Sequence, residues 1–371
     1  MKDCERRSRL SGKALGGTSG IKMVDFSIAL SETVERLVDG RGSVGLAVAI
    51  GPRAEPETVW TPQALDEEPG FLAYSITKTF TSVLMLLLQE EGRLSLNAPL
   101  ARWFPHVPTS ERMSIRQLLN HTAGVPDYGE LRSYHEAVRS SPTEPWSFSR
   151  FAAETFEKGP SFEPGTDWAY SNPGYMLLKR IAEELTGETY AVLISQRIAK
   201  PLGLRRTFVA ESLSDLSSLA PAPSALLSAD GRPMDTREAY HPGWVSHGVL
   251  ASTASEIVLF LRALCCGGLV SPESLREMTK CVPVPQKFVR VQKGPPHWRE
   301  PSYGLGLMGD PASPWGALWG HNGGGPGYNT SAFHAPDLRS RAVTVCAMCA
   351  IEEDAIAEEL VRAALDLVRE S

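Results

Sequence analysis

The alternation of apolar and polar positions predicts a helix near the start of the chain and another at its end. The first helix is indicated by apolar residues at helical spacing, which are Phe26, Leu30, Val34, Leu37 and Val38. Gly40 follows this set as a typical helix stop. The last helix begins with an acidic turn that suits its dipole, and one of its faces carries Ile356, Leu360, Ala364 and Leu367.

Strand patterns occur near both ends of the chain. The segments SVGLAVAIG (43–51), ETVWTP (57–62) and GFLAYS (70–75) follow the first predicted helix. Four more segments, separated by turn residues, precede the last helix and predict an antiparallel meander. These segments are YGLGLMG (303–309), ALWGHNGG (317–324), YNTSAFHAP (328–336) and RAVTVCAMC (341–349).

The middle of the chain is dominated by helical patterns. A helix after Ser75 runs to about Gly92 and is apolar nearly all round, so we expect it to be covered on both sides. Further helical patterns lie at 115–124, 175–187, 190–204 and 252–268. The longest loose stretches are 211–247 and 281–301, and long loops often form the rims of binding sites.

These elements predict an α+β fold. Its antiparallel sheet is flanked by helices and built from the N- and C-terminal segments, with a mostly helical lobe inserted between them. Residues 26–92 and 300–371 then form the sheet lobe, residues 93–299 form the helical lobe, and residues 1–25 form a disordered tail. The helix after Ser75 lies at the junction of the lobes, where ligand sites are common.

The net charge and the apolar segments of the chain indicate which classes of binding partner are not expected. The chain has 371 residues and a formal net charge of −6, which gives no electrostatic reason to expect a nucleic acid or an anionic membrane. No stretch approaches the roughly 18 consecutive apolar residues of a transmembrane helix. The N-terminal segment lacks the apolar core of a secretory signal, so the sequence predicts a cytoplasmic protein and leaves its oligomeric state open.

The six cysteines do not form the pattern of a disulfide framework in a chain of this length. Cys346 and Cys349 form a C-x-x-C, but the segment around them predicts a buried strand, on which residues three apart face opposite sides. We therefore expect both to pack in the core rather than to form a redox or metal pair. The sequence implies no metal and no organic cofactor.

Ser75 and Lys78 form an S-x-x-K at the start of the apolar helix. On a helix this spacing puts both side chains on one face, close to the positive end of the dipole. Apolar neighbours would lower the pKa of Lys78, and a neutral lysine beside a serine hydroxyl can activate it as a nucleophile. The alternative is that Ser75 caps the helix and Lys78 reaches out to solvent.

A second candidate feature is Tyr170-Ser171-Asn172, on a short loop that precedes the helical pattern near Tyr175. A tyrosine and an asparagine two residues apart can face one cleft together. Tyr170 can relay a proton where cations lower its pKa, and Asn172 can orient a substrate amide and the lysine. The alternative is a turn with a packed tyrosine and an asparagine cap.

The third feature is the segment WGHNGGGPGY, which contains His321, Gly323 and Gly324. Glycines on an edge strand permit close approach of the backbone to a ligand. A backbone N–H of this segment could face a substrate carbonyl from the side opposite Ser75. The alternative is a glycine-rich hairpin with a histidine on the surface.

The order of these motifs resembles that of the serine β-lactamase and penicillin-binding-protein superfamily, whose signature is S-x-x-K, S-D-N and K-T-G. The Y-S-N variant resembles the branch of class C β-lactamases, D-alanyl-D-alanine carboxypeptidases, D-aminopeptidases and related esterases. Supporting phrases are GRLSLNAPL, IRQLLNHTAGVPDY, IAKPLGLRRTFV and HGVLASTASEI. The resemblance covers roughly residues 26 to 368 and implies a β-lactamase-like α+β fold.

The resemblance also implies roles for the candidate residues. Ser75 would be the acylated nucleophile, and Lys78 and Tyr170 would share the general-base and general-acid work. Asn172 would position the substrate, and the backbone N–H groups of Ser75 and Gly324 would form the oxyanion hole. Gly323 is a further candidate substrate-binding residue, because a glycine there permits close approach of the backbone along an edge strand.

One position departs from the β-lactamases of this branch. His321 stands where they usually have a lysine, which is a fixed cation able to grip a substrate carboxylate, whereas histidine is neutral much of the time near pH 7. This departure makes a true β-lactamase less favoured. His121, in the phrase LLNHTAG, is expected to be a structural turn residue rather than a catalytic one.

The expected activity is hydrolysis of small ester, amide or peptide substrates through an acyl-enzyme on Ser75. Peptides that end in a D-residue are included, as in D-alanyl-D-alanine carboxypeptidases. Because no export signal is evident, an intracellular esterase or amidase is favoured over a cell-wall enzyme. Three alternatives stay open, namely a β-lactamase, an acyltransferase, and a penicillin-binding or sensor homologue without turnover.

Overall fold

A computed structural model describes residues 23–157, 159–288, 298–352 and 355–371. The predicted tail, residues 1–25, therefore lies almost wholly outside the described residues. Its last three residues are helical, because the first helix begins at Met23. Among the helices that the structure describes, none combines the length and the apolar character needed to cross a bilayer.

The described part of the chain contains eleven α-helices. They are α1 (Met23–Val38), α2 (Thr77–Glu90), α3 (Ile115–Leu119), α4 (Arg132–Ser140), α5 (Phe148–Phe156), α6 (Asn172–Thr186), α7 (Tyr190–Ile194), α8 (Thr236–Ala239), α9 (Ala254–Cys265), α10 (Pro272–Met278) and α11 (Ile356–Glu370). A short 3-10 helix, Tyr74–Ile76, directly precedes α2.

The strands of the same residues number thirteen. They are β1 (Val44–Ile50), β2 (Glu57–Thr61), β3 (Phe71–Leu72), β4 (Phe208–Ala210), β5 (Pro223–Ser224), β6 (Met234–Asp235), β7 (Val249–Ser252), β8 (Val282–Pro283), β9 (Ser302–Tyr303), β10 (Met308–Ser313), β11 (Gly316–Gly325), β12 (Tyr328–Leu338) and β13 (Arg341–Cys349).

The main sheet is antiparallel and joins the two ends of the chain. In the described residues its strand order is β2-β1-β13-β12-β11-β10-β9-β8. Strand β1 pairs with β13 from Val44 opposite Cys349 to Ile50 opposite Val343. The expected α+β fold, with a sheet built from N- and C-terminal segments, is therefore confirmed. The lobe boundaries at residues 92 and 300 stay a prediction.

Alternation along the central strands sorts their side chains into two cores. On one face, Val343, Val345 and Cys349 of β13 pack in a cluster with residues of α1 and α11. On the other face, Cys346 and Met348 join a larger cluster that includes α2, α6 and α9. Cys346 and Cys349 are thus buried on opposite faces, as expected for a strand with a period of two.

Helix α2 lies inside the larger core. Its side chains from Thr77 to Leu86 are buried without interruption, and Phe80 stacks on Phe260 of α9 with ring centroids 3.6 Å apart. A helix that is apolar nearly all round can be stable only when it is covered on every side. Lys78, which lies in the first turn of α2, is therefore removed from water together with its neighbours on the helix.

The prediction of one strand over 303–309 is wrong. Strand β9 ends at Tyr303, β10 begins at Met308, and the chain turns between them through Gly306 with φ +67°. The Gly306 carbonyl accepts a hydrogen bond of 2.8 Å from Thr79 Oγ1. A Cβ at Gly306 would lie 2.0 Å from Ser82 Oγ, so a glycine is needed for this turn to pack on α2.

Candidate active site

Ser75 lies in the 3-10 turn that connects β3 to α2. The preceding residue, Tyr74, has φ +43°, an uncommon conformation for a bulky residue that persists only where surrounding contacts enforce it. The Tyr74 hydroxyl donates a 2.6 Å hydrogen bond to the carbonyl of Pro326, which ties the turn to the β11–β12 hairpin. Helix α2 is capped at Ile76 without a side-chain bond, so the alternative that Ser75 caps the helix is wrong.

Lys78 is fully buried, and its ammonium group does not reach solvent as the alternative required. Lys78 Nζ lies 3.2 Å from Ser75 Oγ and 2.7 Å from Asn172 Oδ1. A third polar neighbour, His247 Nε2, lies 3.1 Å away. The two ends of the S-x-x-K motif are therefore in contact, and two side chains distant in sequence complete the surroundings of the lysine.

Burial lowers the pKa of Lys78 to about 7, although the nearby Asp127 carboxylate opposes this shift. The same burial raises the pKa of Asp127, which hydrogen bonds and the lysine charge counteract. Removal of a charged group from water disfavours its charged form, and this is the larger effect at both residues. Near neutral pH a substantial fraction of Lys78 is thus the free amine, which can accept a proton.

Asn172 is held between the lysine and the aspartate. It begins helix α6, where the Ser171 side chain caps the helix by accepting from Gly174 N at 3.1 Å. The Asn172 side-chain amide donates to the two carboxylate oxygens of Asp127 at 3.1 and 3.2 Å. Because the amide nitrogen is used in this way, Oδ1 is the atom that faces Lys78 Nζ.

Tyr170 packs its ring against the lysine, with Lys78 Nζ 4.8 Å from the ring centroid. Burial raises the pKa of Tyr170 well above its usual 10, and a hydrogen bond with the Ser75 side chain only partly offsets this rise. The condition under which Tyr170 would relay a proton, namely that cations lower its pKa, is not met in the resting site. Tyr170 is a neutral phenol there and can donate a proton.

His321 is buried rather than on the surface, so the alternative of a surface histidine is wrong. Its Nδ1 contacts the carbonyl of Asn322, and because a carbonyl can only accept, Nδ1 carries the proton. Nε2 then accepts the Tyr303 hydroxyl at 2.8 Å. Burial, with the Lys78 charge, lowers the pKa of His321 to about 3, so it offers no cation near pH 7.

Strand β11 runs against the Ser75 turn, and glycines make this approach possible. A Cβ on Gly323 would lie 2.5 Å from both Ala73 O and Thr330 Oγ1. It would also lie 3.0 Å from Ser75 N. Gly323 and Gly324 pair with β12, whereas β10, on the other side of β11, pairs with it only from Gly316 to Gly320, so among the described residues the two glycines form an edge there. In an antiparallel ladder every second backbone N–H of such an edge points away from the neighbouring strand.

His121 has φ +63°, and its carbonyl accepts a 3.1 Å hydrogen bond from Ala169 N. Its Nδ1 accepts from Ser171 N at 3.2 Å, and its ring lies 4.4 Å from that of Tyr170. These contacts support the loop that carries Tyr170, in agreement with the turn role expected from the sequence. In the residues that can be described, no three His, Cys, Asp or Glu side chains are placed to hold a metal ion.

Three site residues were missed by sequence reasoning, namely Asp127, His247 and Tyr303. Asp127 lies in the phrase IRQLLNHTAGVPDY and His247 begins the phrase HGVLASTASEI, so the relevant segments were noticed but not these side chains. Each reaches the site from far along the chain, since 169 residues separate His247 from Lys78. No local spacing signals such contacts.

The sequence of this chain is similar to those of known proteins. The sequence profile of the family described as Beta-lactamase matches residues 30–365. Penicillin-binding protein 4* of Bacillus subtilis (strain 168) is 28% identical over 290 residues, which are 72% of this chain and 58% of the relative. A β-lactamase of Pseudomonas fluorescens is 26% identical over 53% of this chain and 54% of the relative. The chain thus spans little more than half the length of these two curated relatives.

Solved structures match over nearly the whole chain. A D-stereospecific amidohydrolase from Streptomyces sp. superposes with a TM-score of 0.77 at 27% identity, covering 91% of this chain and 98% of that one. The D-amino acid amidase of Ochrobactrum anthropi SV3 in complex with D-phenylalanine gives a TM-score of 0.78 at 24% identity. That match covers 94% of this chain and all of the amidase, and it shows a shared fold.

Proposed function

Because this chain belongs to the β-lactamase family, we propose that it is a serine hydrolase that forms an acyl-enzyme on Ser75. The observation that carries this proposal is the buried Lys78 Nζ, 3.2 Å from Ser75 Oγ and with a pKa of about 7. A buried lysine is costly to a fold and becomes useful when it removes the proton of an adjacent nucleophile. The roles of the individual residues are part of this proposal.

Acylation begins when Ser75 Oγ attacks the substrate carbonyl carbon and its proton moves to the Lys78 amine. The backbone N–H groups of Ser75 and Gly324 are proposed to stabilise the oxyanion that forms. When the tetrahedral intermediate collapses, the bond to the leaving group breaks. The departing oxygen or nitrogen takes a proton from the Tyr170 phenol, which regains one from the Lys78 ammonium.

Deacylation follows the same path in reverse, with water as the nucleophile. As the water oxygen attacks the acyl carbon, one water proton moves to the Lys78 amine, either directly or through the Tyr170 hydroxyl, which gives its own proton to Lys78 as it takes the one from water. The ester bond to Ser75 then breaks, Ser75 Oγ recovers its proton, and the carboxylic acid leaves. Because the neutral amine starts both steps, we expect the rate to rise with pH through the pKa of Lys78, about 7.

The proposed substrates are small esters and amides, including amides of D-amino acids. The D-stereospecific amidohydrolase is similar over 91% of this chain, which supports this class. His321, neutral and with both nitrogens paired, supplies no cation for a substrate carboxylate. This makes β-lactams and peptides with a free C-terminal carboxylate poorer candidates.

The cytoplasmic location expected from the sequence stays a prediction.

The proposal is tested with purified protein and four substrates offered side by side. They are p-nitrophenyl butyrate, D-phenylalanine amide, nitrocefin and a peptide ending in D-Ala-D-Ala. The control is Ser75→Ala, which removes one half-buried hydroxyl and should leave the melting temperature within about 2 °C, as expected for a substitution of under about 0.5 kcal/mol.

Turnover of the ester or the D-amide that is lost in Ser75→Ala would support the proposed class. Dominant turnover of nitrocefin or the D-Ala-D-Ala peptide would replace that class by a β-lactamase or carboxypeptidase. An acyl group that stays on Ser75 for hours, detected as a mass increase, would indicate a sensor without turnover. Equal hydrolysis by both proteins would contradict the nucleophile assignment.

A further inference from the structure

His247 is a buried histidine in contact with the catalytic lysine that none of the three sequence motifs includes. It lies just before β7, and its Nε2 is 3.1 Å from Lys78 Nζ. His247 is buried, with 2% of its surface exposed, and its Nδ1 has no hydrogen-bond partner among the described residues. Among the described residues, the hydrogen-bond contact of this polar ring is with Lys78 alone, which indicates a role in the reaction.

The hydrogen-bond capacity of the lysine defines that role. A neutral amine has two N–H bonds and one lone pair, whereas an ammonium has three N–H bonds and no lone pair. Three polar atoms surround Lys78 Nζ, and they belong to Asn172, His247 and Ser75. Asn172 Oδ1 is an acceptor because its amide nitrogen is committed to Asp127. If His247 Nε2 also accepts, the lone pair of the amine is left to face Ser75 Oγ.

The ammonium form requires the same histidine tautomer. An ammonium cannot accept a hydrogen bond, so His247 Nε2 must be unprotonated whenever Lys78 is charged. The neutral ring then carries its proton on Nδ1 in both states of the lysine. With the opposite tautomer, Nε2–H would donate to the amine and occupy the lone pair that has to receive the Ser75 proton.

We propose that His247 is a positioning residue, which accepts a hydrogen bond from Lys78 and thereby directs the lone pair of the lysine at Ser75. The inference rests on the proposed function, because it assigns a partner to the base of that reaction. His247 does not touch the substrate in this account and stays neutral throughout. It also stabilises the ammonium that forms when Ser75 gives up its proton.

The electrostatic surroundings keep His247 neutral, as this role requires. Burial lowers the pKa of His247 well below its usual 6.5, and four neighbouring basic groups add to the effect. These are Lys78 on α2, Lys179 on α6, His321 on β11 and His121 in the loop after α3. Lys78 is therefore the group whose titration should dominate the acid limb of the pH–rate profile.

The test compares three substitutions at this position. His247→Leu removes the acceptor, His247→Gln offers a side-chain amide oxygen of similar reach, and His247→Asn is polar but too short. Loss of the acceptor disfavours the ammonium, so the pKa of Lys78 should fall and the acid limb should move to lower pH. We expect a shift of about one pH unit, with at least about a tenfold lower plateau, in the Leu and Asn variants. The Gln variant should stay close to wild type.

The reaction to follow is labelling of Ser75 by a fluorophosphonate, together with p-nitrophenyl butyrate hydrolysis between pH 5 and 9. His334→Gln is the matched control, because His334 is equally buried but bonds Thr344 Oγ1 at 2.8 Å, away from the site. Its pH–rate profile should equal that of the wild type. Circular dichroism and thermal unfolding check the fold of each variant.

The outcomes separate this inference from the proposed function. A wild type that is not labelled on Ser75 would overturn both. A labelled wild type with an unchanged pH–rate profile in His247→Leu would overturn only the role of His247. If the Leu variant does not fold, the Gln and Asn variants decide: equal losses in both, with folded proteins, would contradict an acceptor role.

Discussion

The Asp127 carboxylate fixes the orientation of Asn172 through three hydrogen bonds. One comes from the Asn172 backbone N–H at 3.0 Å and two come from its side-chain amide at 3.1 and 3.2 Å. A carboxylate can only accept and an ammonium can only donate, so the amide of Asn172 has one orientation that satisfies both Asp127 and Lys78. The negative charge of Asp127 thus reaches the lysine through one intervening amide.

Replacement of Asp127 by asparagine should therefore make Lys78 a weaker base, while the new side chain fills nearly the same volume. Loss of the negative charge lowers the pKa of Lys78 further, because Asp127 is the group that raises it. Asn172 also loses the partner that sets its orientation. We expect kcat/KM for an ester to fall by about 10- to 100-fold, as for removal of an orienting partner, and the acid limb to move to lower pH.

The measurement is the pH–rate profile of Asp127→Asn against that of Asp230→Asn. Asp230 is exposed and pairs with Arg232, so its substitution removes the same charge without touching the site. An Asp127→Asn profile that coincides with wild type would show that the Asp127–Asn172 contact has no influence on the base.

Lys78 should also make stability depend on pH. Its pKa is lowered from 10.5 to about 7 by folding, so between these values the unfolded chain holds a proton that the folded protein has released. The free energy of unfolding contributed by Lys78 therefore rises with pH from about 7 to about 10.5, by at most about 1.4 kcal/mol per unit. Below pH 7 both states are protonated, and this contribution is constant.

Urea unfolding at pH 6, 8 and 9.5 tests this dependence on wild type and Lys78→Met. The wild type should gain stability relative to Lys78→Met as the pH rises above 7. Lys200→Met, in which an exposed lysine is lost, should instead run parallel to the wild type. Parallel curves for Lys78→Met would mean that folding does not change the pKa of Lys78.

Tyr170 should matter more for amides than for activated esters. Its burial keeps it a phenol, and a departing amine needs a proton whereas p-nitrophenolate leaves without one. Tyr170→Phe should reduce turnover of D-phenylalanine amide at least about tenfold more than turnover of p-nitrophenyl butyrate. Tyr134→Phe, which loses a hydroxyl bonded to Trp244 O, is the control and should leave the ratio unchanged. Equal losses on both substrates in Tyr170→Phe would exclude a role as acid.

Local sequence patterns predicted those parts of the site that lie within a single helix or strand. Ser75 and Lys78 are three residues apart, and the apolar run after them predicted the burial that lowers the pKa of the lysine. The strand with Cys346 and Cys349 was predicted in the same way, from a period of two. Each inference needed only neighbours within one helix or strand.

The remaining features of the site depend on contacts between segments distant in sequence, which local patterns do not predict. The direction of the Tyr170 pKa shift depends on how completely other segments cover its ring, and no pattern around Tyr170 encodes that. Asp127 and His247 became part of the site only because the folded chain brings them to Asn172 and Lys78. The turn at Gly306, placed within a predicted strand, likewise follows from its contact with α2.

The closeness of β11 to the Ser75 turn gives a final prediction. A Cβ on Gly323 would meet the carbonyl of Ala73 and Thr330 Oγ1 at 2.5 Å, so Gly323→Ala must push the strand and the turn apart. Such overpacking costs typically about 1–3 kcal/mol and should also lower the rate of Ser75 acylation. Gly324→Ala is the matched control for stability, since the nearest atom of the described residues to its Cβ would be Asn329 Nδ2, at 3.5 Å. Thermal unfolding should separate these adjacent substitutions by several degrees, and equal melting temperatures would contradict the tight contact at Gly323.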